Sequence, residues 1–237
     1  MGSRNSSFHD RGIAGILLAP VKWLSISALL LFGLMLAAWI IDWTFVFRIW
    51  PEGLERLQGI LAEDLARLQR LGCWCNDLPR LAAATANLIY SFLFRATGID
   101  NMGARFADSA ALSIPDTLVR STYIENYEAI RVAMVGTQLF GVRLATLLIP
   151  VPFMAMVYCV SLADGLTQRA IRRASGGRES ANLYHRAKHL QVVLLTTTAA
   201  ISLLLPVPID PRSIWIPSAM LVAVLARIQW DYYKKHL

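Results

Sequence analysis

Hydrophobic positions along this chain gather into runs that are long and free of charge. Leu24 to Ile41 is one such run of 18 residues, Leu144 to Leu162 gives 19 and Leu190 to Ile209 gives 20. A helix crossing about 30 Å of hydrocarbon needs roughly 20 apolar residues, so each of these runs predicts a membrane span. Ser213 to Ala226 is shorter, at 14 residues, and reaches spanning length through Ile228, Gln229 and Trp230 if the Arg227 guanidinium snorkels to the headgroups. Trp23, Trp39 and Trp43 sit around the first run as interfacial anchors do. That run exceeds the usual length of a signal-peptide core and no A-x-A site follows it, so it reads as an uncleaved anchor.

Between the first two runs the pattern changes to an amphipathic one. Pro51 opens a helix in which Leu54, Leu57, Leu61, Leu65 and Leu68 recur at spacings of three and four, with Glu52–Arg56 and Glu63–Arg67 placed to pair. It ends near Gly72. A second helix runs from Pro79 to about Arg95 through LAAATANLIYSFLF, either packed or grazing the membrane, with a re-entrant path as the alternative. Gly98 to Ser113 reads as a connector, and SIPDT at Ser113 to Thr117 as a helix start. From there one long helix is expected to run into the second apolar run, kinked at Pro150 and Pro152. On it Ala129, Ala133, Thr137, Gly141 and Ala145 recur every four residues, a stripe that lets another helix approach closely. Because 3.6 is not 4, the stripe drifts around the axis and favours a crossing contact.

Composition agrees with the pattern. Hydrophobic residues make up 56% and charged ones 16% of 237 residues, with a mean hydropathy of +0.47. That balance excludes a disordered chain, a collagen-like fibre and a disulfide-stapled module. The expected fold is all-α and polytopic, with about four transmembrane helices and a helical extracytoplasmic segment between the first two. The divisions are 1–23 tail, 24–47 first span, 48–143 extracytoplasmic segment, 144–162 second span, 163–189 basic loop, 190–209 third span, 213–230 fourth span and 231–237 tail.

The net charge is +7, and its distribution sets the orientation. Residues 48–143 hold ten arginines and ten acids and contribute nothing to the excess. The 163–189 loop carries Arg169, Arg172, Arg173, Arg178, Arg186 and Lys188 against Asp164 and Glu179, while the hairpin between the last two spans has Arg212 beside Asp210. With four spans, the basic pieces all fall on one side, so both termini and the middle loop are expected in the cytoplasm of a bacterial inner-membrane protein. Anionic lipid is the simplest partner for this charge. Direct binding of nucleic acid is not expected, because no aromatic and basic interleaving accompanies it.

Few groups suggest chemistry. Cys73 and Cys75 flank one residue, a spacing that strains a disulfide and leaves independent thiols or intermolecular bridges open. Cys159 reads as a small buried apolar residue within the second span. His185 and His189 share a helical face but lack further ligands, so no metal, cofactor or catalytic residue is assigned. Asp42 and Asp164 fall at span ends, and the span interiors offer hydroxyls such as Thr196, Thr197 and Thr198.

The string GGRESANLYHRAKHL, Gly176 to Leu190, is followed by a hairpin turning at PVPIDPRS and a last span ending in KKHL. In this string, in the upstream Arg169, Arg172 and Arg173 and in the order of spans, the chain resembles the DUF4400 family, membrane proteins of integrating conjugative elements and some plasmids. The resemblance implies a non-catalytic inner-membrane component of conjugative DNA transfer, working beside the type IV secretion apparatus or its coupling ATPase. Arg178, Glu179, His185, Arg186 and Lys188 suit a partner-docking loop, the alternative being a helix-turn-helix connection whose charges satisfy one another and lipid phosphates; the small-residue stripe packs helices, with a homo-oligomer left open. The alternatives are a small transporter or channel subunit, and an intramembrane enzyme using His185 or His189.

Overall fold

The computed structural model describes residues 6–71, 77–108, 114–176 and 181–233, and among them the chain is helical apart from turns and short irregular pieces such as 205–210, with no strand. The first apolar run lies in α1 (Ser6–Thr44), whose 39 residues extend about 58 Å at 1.5 Å per residue. It closes in a π-helical turn, Phe45–Ile49, in which Val46 points into the core. Gly53 then takes φ +56, a left-handed conformation that a Cβ disfavours, and the chain turns into α2 (Leu54–Leu71). The leucine periodicity is visible there as a buried face of Leu57, Ile60, Asp64 and Leu68. An acid at the centre of an apolar face is the exception in that pattern.

Next comes α3 (Leu78–Tyr90), with Pro79 in its first turn and a second π-helical turn, Ser91–Arg95, at its end. Leu57 and Ile60 of α2 pack with Val132 and Leu139, and Leu68 with Val142 and Ala145. Ala82 and Ala86 of α3 join that second cluster. The two helices therefore lie along one central helix, α2 running with it and α3 against it.

The stretch expected as a connector contains a helix, α4 (Ile99–Asp108), entered through Gly98 at φ +77. The single long helix expected beyond it is three: α5 (Ile114–Glu125), α6 (Tyr127–Thr146) and α7 (Pro150–Ala174). At the first break Asn126 leaves helical geometry (φ −105, ψ 14), while its backbone N–H and its side-chain amide both donate to the Thr122 carbonyl, at 3.2 and 2.9 Å. At the second, Pro150 and Pro152 have no N–H to offer the preceding turn. The helix stops at Leu147–Ile149 and restarts with Pro150 in its first turn, a break where a kink was expected.

α6 is the central helix. α1, α2, α3 and α8 (Ala181–Leu204) all pack on it, and its residues Leu139 to Arg143 are buried without interruption. A helix enclosed on several sides needs apolar residues all round rather than one stripe. α9 (Pro211–Asp231) is capped by Asp210, whose side chain accepts from the Arg212 N–H at 2.9 Å. It lies between α7 and α8, parallel to the first and antiparallel to the second.

Four helical stretches are long and apolar enough to cross a membrane: Leu24–Ile49, Tyr127–Ala174, Asn182–Leu204 and Pro211–Asp231. Two side chains depart from expectation here. Cys159 is exposed on the outside of α7 rather than buried, and Arg227 is held by Asp164 at 2.7 Å rather than extending alone. Cys73, Cys75, Arg178 and Glu179 lie outside the described residues.

Candidate functional site

The small-residue stripe meets different neighbours along α6. Ala129 and Ala133 are half-buried and line a shallow apolar recess with Trp39, Ile40 and Trp43. Thr137 is fully buried, accepts a hydrogen bond from the Trp39 indole N–H at 3.0 Å and donates to the Ala133 carbonyl at 2.7 Å. Gly141 faces α3: a Cβ there would lie 2.6 Å from the Ala86 Cα, so the two backbones touch. Ala145 is buried with Leu68, Ala82 and Ala86. Between these contacts Gly136 leaves room for Asp42, whose Oδ2 would stand 2.5 Å from a Cβ. Asp42 is thus buried against α6 and not at an open span end.

Two residues beyond Gly141 stands Arg143, the most connected polar side chain of this half. Its Nε donates to Asp64 Oδ2 at 3.0 Å and its Nη2 to the Val207 carbonyl at 3.0 Å, while Nη1 donates to the Leu205 carbonyl. The two carbonyls belong to the turn that follows α8, and that of Leu205 also accepts from the Val207 N–H at 2.8 Å. Both side chains are about nine-tenths buried. Burial pushes the Asp64 carboxyl above the usual carboxylate range, against the pull of the Arg143 guanidinium. The cost of burial therefore outweighs the attraction, and the pair acts chiefly to fix register between α2, α6 and the α8–α9 turn. A cavity of about 40 Å³ lies beside it, lined by Arg67, Thr146, Ser202 and Trp215 among others.

A second cluster occupies the opposite end of α7 and α9. A Cβ on Gly165 would lie 2.7 Å from the Arg227 carbonyl and 2.9 Å from the Trp230 Cβ, so these backbones also touch. Trp230 donates its indole N–H to the Tyr158 hydroxyl at 3.0 Å. Arg172 pairs with Asp231 and stacks its guanidinium 3.9 Å from the Tyr232 ring centre, and Arg169 stands 5.3 Å over Tyr233. Tyr184 of α8 packs against Tyr233, with ring centres 5.7 Å apart. α7 ends at Ala174, and Gly176 at φ +73 turns the chain away.

Of the residues expected to dock a partner, His185, Arg186 and Lys188 are exposed on α8, while Ala187 between them is buried. Three charged or ionisable groups thus face outward from a helix anchored on its other side. Among the described residues, no group of three His, Cys, Asp or Glu side chains converges as metal ligands do. The groups that pattern reading missed are Asp64, Arg143, Gly165 and Asp231. Asp64 had a signal, an acid on the apolar face of a leucine helix, as did Gly165, four residues after Ser161 and buried with it. Arg143 joins Asp64 across 79 residues of chain, a pairing that periodicity does not reveal.

Residues 49–234 match the family model described as IncC plasmid conjugative DNA transfer protein DtrJ-like. No curated protein and no solved structure matches. The resemblance to DUF4400 agrees with this match at the level of conjugation, but the matching family is the DtrJ-like one.

Proposed function

Since the chain belongs to the DtrJ-like family of conjugative DNA transfer proteins, we propose that it is a non-catalytic, multi-pass component of the transfer machinery in the bacterial inner membrane. The observation that carries this reading is the family match, which extends from the end of the first candidate span through α9. Four helices of spanning length and composition support the membrane part of it. The excess of Arg and Lys in residues 163–189 supports a cytoplasmic position for the α7–α8 connector, and with an even number of spans for both termini.

On this reading His185, Arg186 and Lys188, together with Arg178 and Glu179 of the connector, form a polar docking surface. Its partner carries an acidic patch, and the coupling ATPase of the secretion apparatus is the first protein to test. Long-range charge would steer the encounter, and the buried side of α8 would hold the surface in place. The α6 stripe serves the protein's own helix packing, which orients that surface.

A photoreactive residue at Lys188, introduced in donor cells, is expected to crosslink a transfer protein in the membrane fraction. Arg186→Glu with Lys188→Glu should abolish that crosslink while leaving the protein's abundance unchanged. Capture of lipid alone at position 188, with transfer unaffected by the charge reversal, contradicts the docking surface.

A further inference from the structure

The α2–α3 pair is asymmetric in a way that its packing on α6 does not require. The outward side of α2 is polar, with Glu55, Arg56, Glu63 and Arg70 exposed. The outward side of α3 and its π-helical extension is apolar: Leu81, Leu88 and Phe92 are 42%, 71% and 76% exposed. They fall seven and four residues apart, on one helical face. From Leu81 to Phe94 the segment carries no ionisable side chain except the Tyr90 phenol, and Arg80 and Arg95 bracket it.

The inward side of the same helix lies on the candidate spans themselves. Ile89 and Leu93 pack with Met35, Ala38 and Phe140, and Phe94 meets Trp39 with ring centres 6.2 Å apart. Ala86 touches Gly141. Met35, Ala38 and Trp39 belong to the Leu24–Ile49 stretch, and Phe140 and Gly141 to Tyr127–Ala174. A helix seated against the first apolar span, at Met35 to Trp39, faces the medium that surrounds that span.

We propose that the Leu81–Leu88–Phe92 face of α3 contacts the acyl chains of the bilayer, so that the α2–α3 pair lies at the membrane boundary with α3 towards lipid and α2 towards water. A pair wholly in water would need polar residues on both outward sides, and one wholly in hydrocarbon would need apolar residues on both. One side of each kind is what a boundary demands. The inference rests on the membrane part of the proposed function, and the test separates the two.

The full chain, with Cys73→Ser, Cys75→Ser and Cys159→Ser, is spin-labelled singly through Leu88→Cys, Phe92→Cys, Glu55→Cys or Val160→Cys. Each form is reconstituted into phosphatidylethanolamine and phosphatidylglycerol vesicles. Val160 is exposed on α7 and reports the spans. The expected result is that dissolved oxygen relaxes the labels at 88, 92 and 160 severalfold more than a water-soluble nickel chelate does, with the opposite order at 55. If 160 behaves so while 88 and 92 follow 55, the face is in water and this inference fails alone. Shielding of 88 and 92 from both reagents means that protein, a second copy or another partner, covers the face, and this too overturns it. A water-like result at 160 removes the membrane reading and this inference with it.

Discussion

The two ends of the α7–α9 bundle each hold an arginine, and they are built differently. At one end Arg143 is nine-tenths buried and spends its guanidinium on an acid and two backbone carbonyls from separate parts of the chain. At the other, Arg172 shares Asp231 and the Tyr232 ring at a partly exposed rim. Each stands near a glycine where backbones touch, Gly141 against Ala86 and Gly165 against Arg227. The first arrangement locks α2, α6 and the α8–α9 turn in register. The second joins neighbouring helix ends and leaves exposed charge around it. Buried register contacts and exposed charge are thus divided between the ends.

The sharpest way to break this comparison is to remove Arg143. Arg143→Leu strands the Asp64 carboxylate and takes the side-chain donor from the Val207 carbonyl, and should cost about 3–5 kcal/mol in reversible unfolding from mixed micelles. Asp64→Leu combined with Arg143→Leu should recover part of that loss, since no charge is then left buried. The pair also has a pH signature. Because the folded-state pKa of Asp64 is raised, its contribution is fully present below the unfolded value and is lost as pH rises through the folded one. The double variant should lack that decline.

Gly141→Leu and Gly165→Leu come next, each expected to cost about 1–3 kcal/mol by overpacking a backbone contact. Gly141→Leu should loosen α3 from α6 and raise proteolysis between α2 and α4, while Gly165→Leu should act on α7 and α9. Similar cleavage patterns for the two would mean that the ends are not independent. Arg227→Gln should change stability least, by under about 1 kcal/mol, because it and Asp164 are each about half exposed.

Much of this architecture was legible in the pattern of residues. The Leu24–Ile41 run lies in α1, the leucine spacing in α2 and the LAAATANLIYSFLF stretch in α3 with its π-helical extension. These are local signals, repeated along one helix. α4 was missed because Gly98 and the polar residues after it read as a loop, although that glycine's left-handed turn only introduces the helix. The break at Asn126 is a change in one residue's backbone angles that keeps the bond to the preceding turn, and hydrophobic periodicity carries no trace of it. Arg143 lay hidden for another reason: its partners come from α2 and from the α8–α9 turn, and only folding brings them together. On the candidate docking surface, exposure of His185, Arg186 and Lys188 follows from Ala187 taking the buried side of α8.

We propose that this DtrJ-like protein serves conjugation through the charged face of α8. The most direct measurement is transfer frequency from donors whose own copy is deleted and replaced by wild type or by Arg186→Glu with Lys188→Glu, at matched membrane abundance. Deletion is expected to abolish transfer and wild type to restore it, with the charge-reversed protein falling at least about tenfold short, equivalent to about 1.4 kcal/mol of lost docking. Undiminished transfer by the charge-reversed protein, or by the deletion itself, would contradict it.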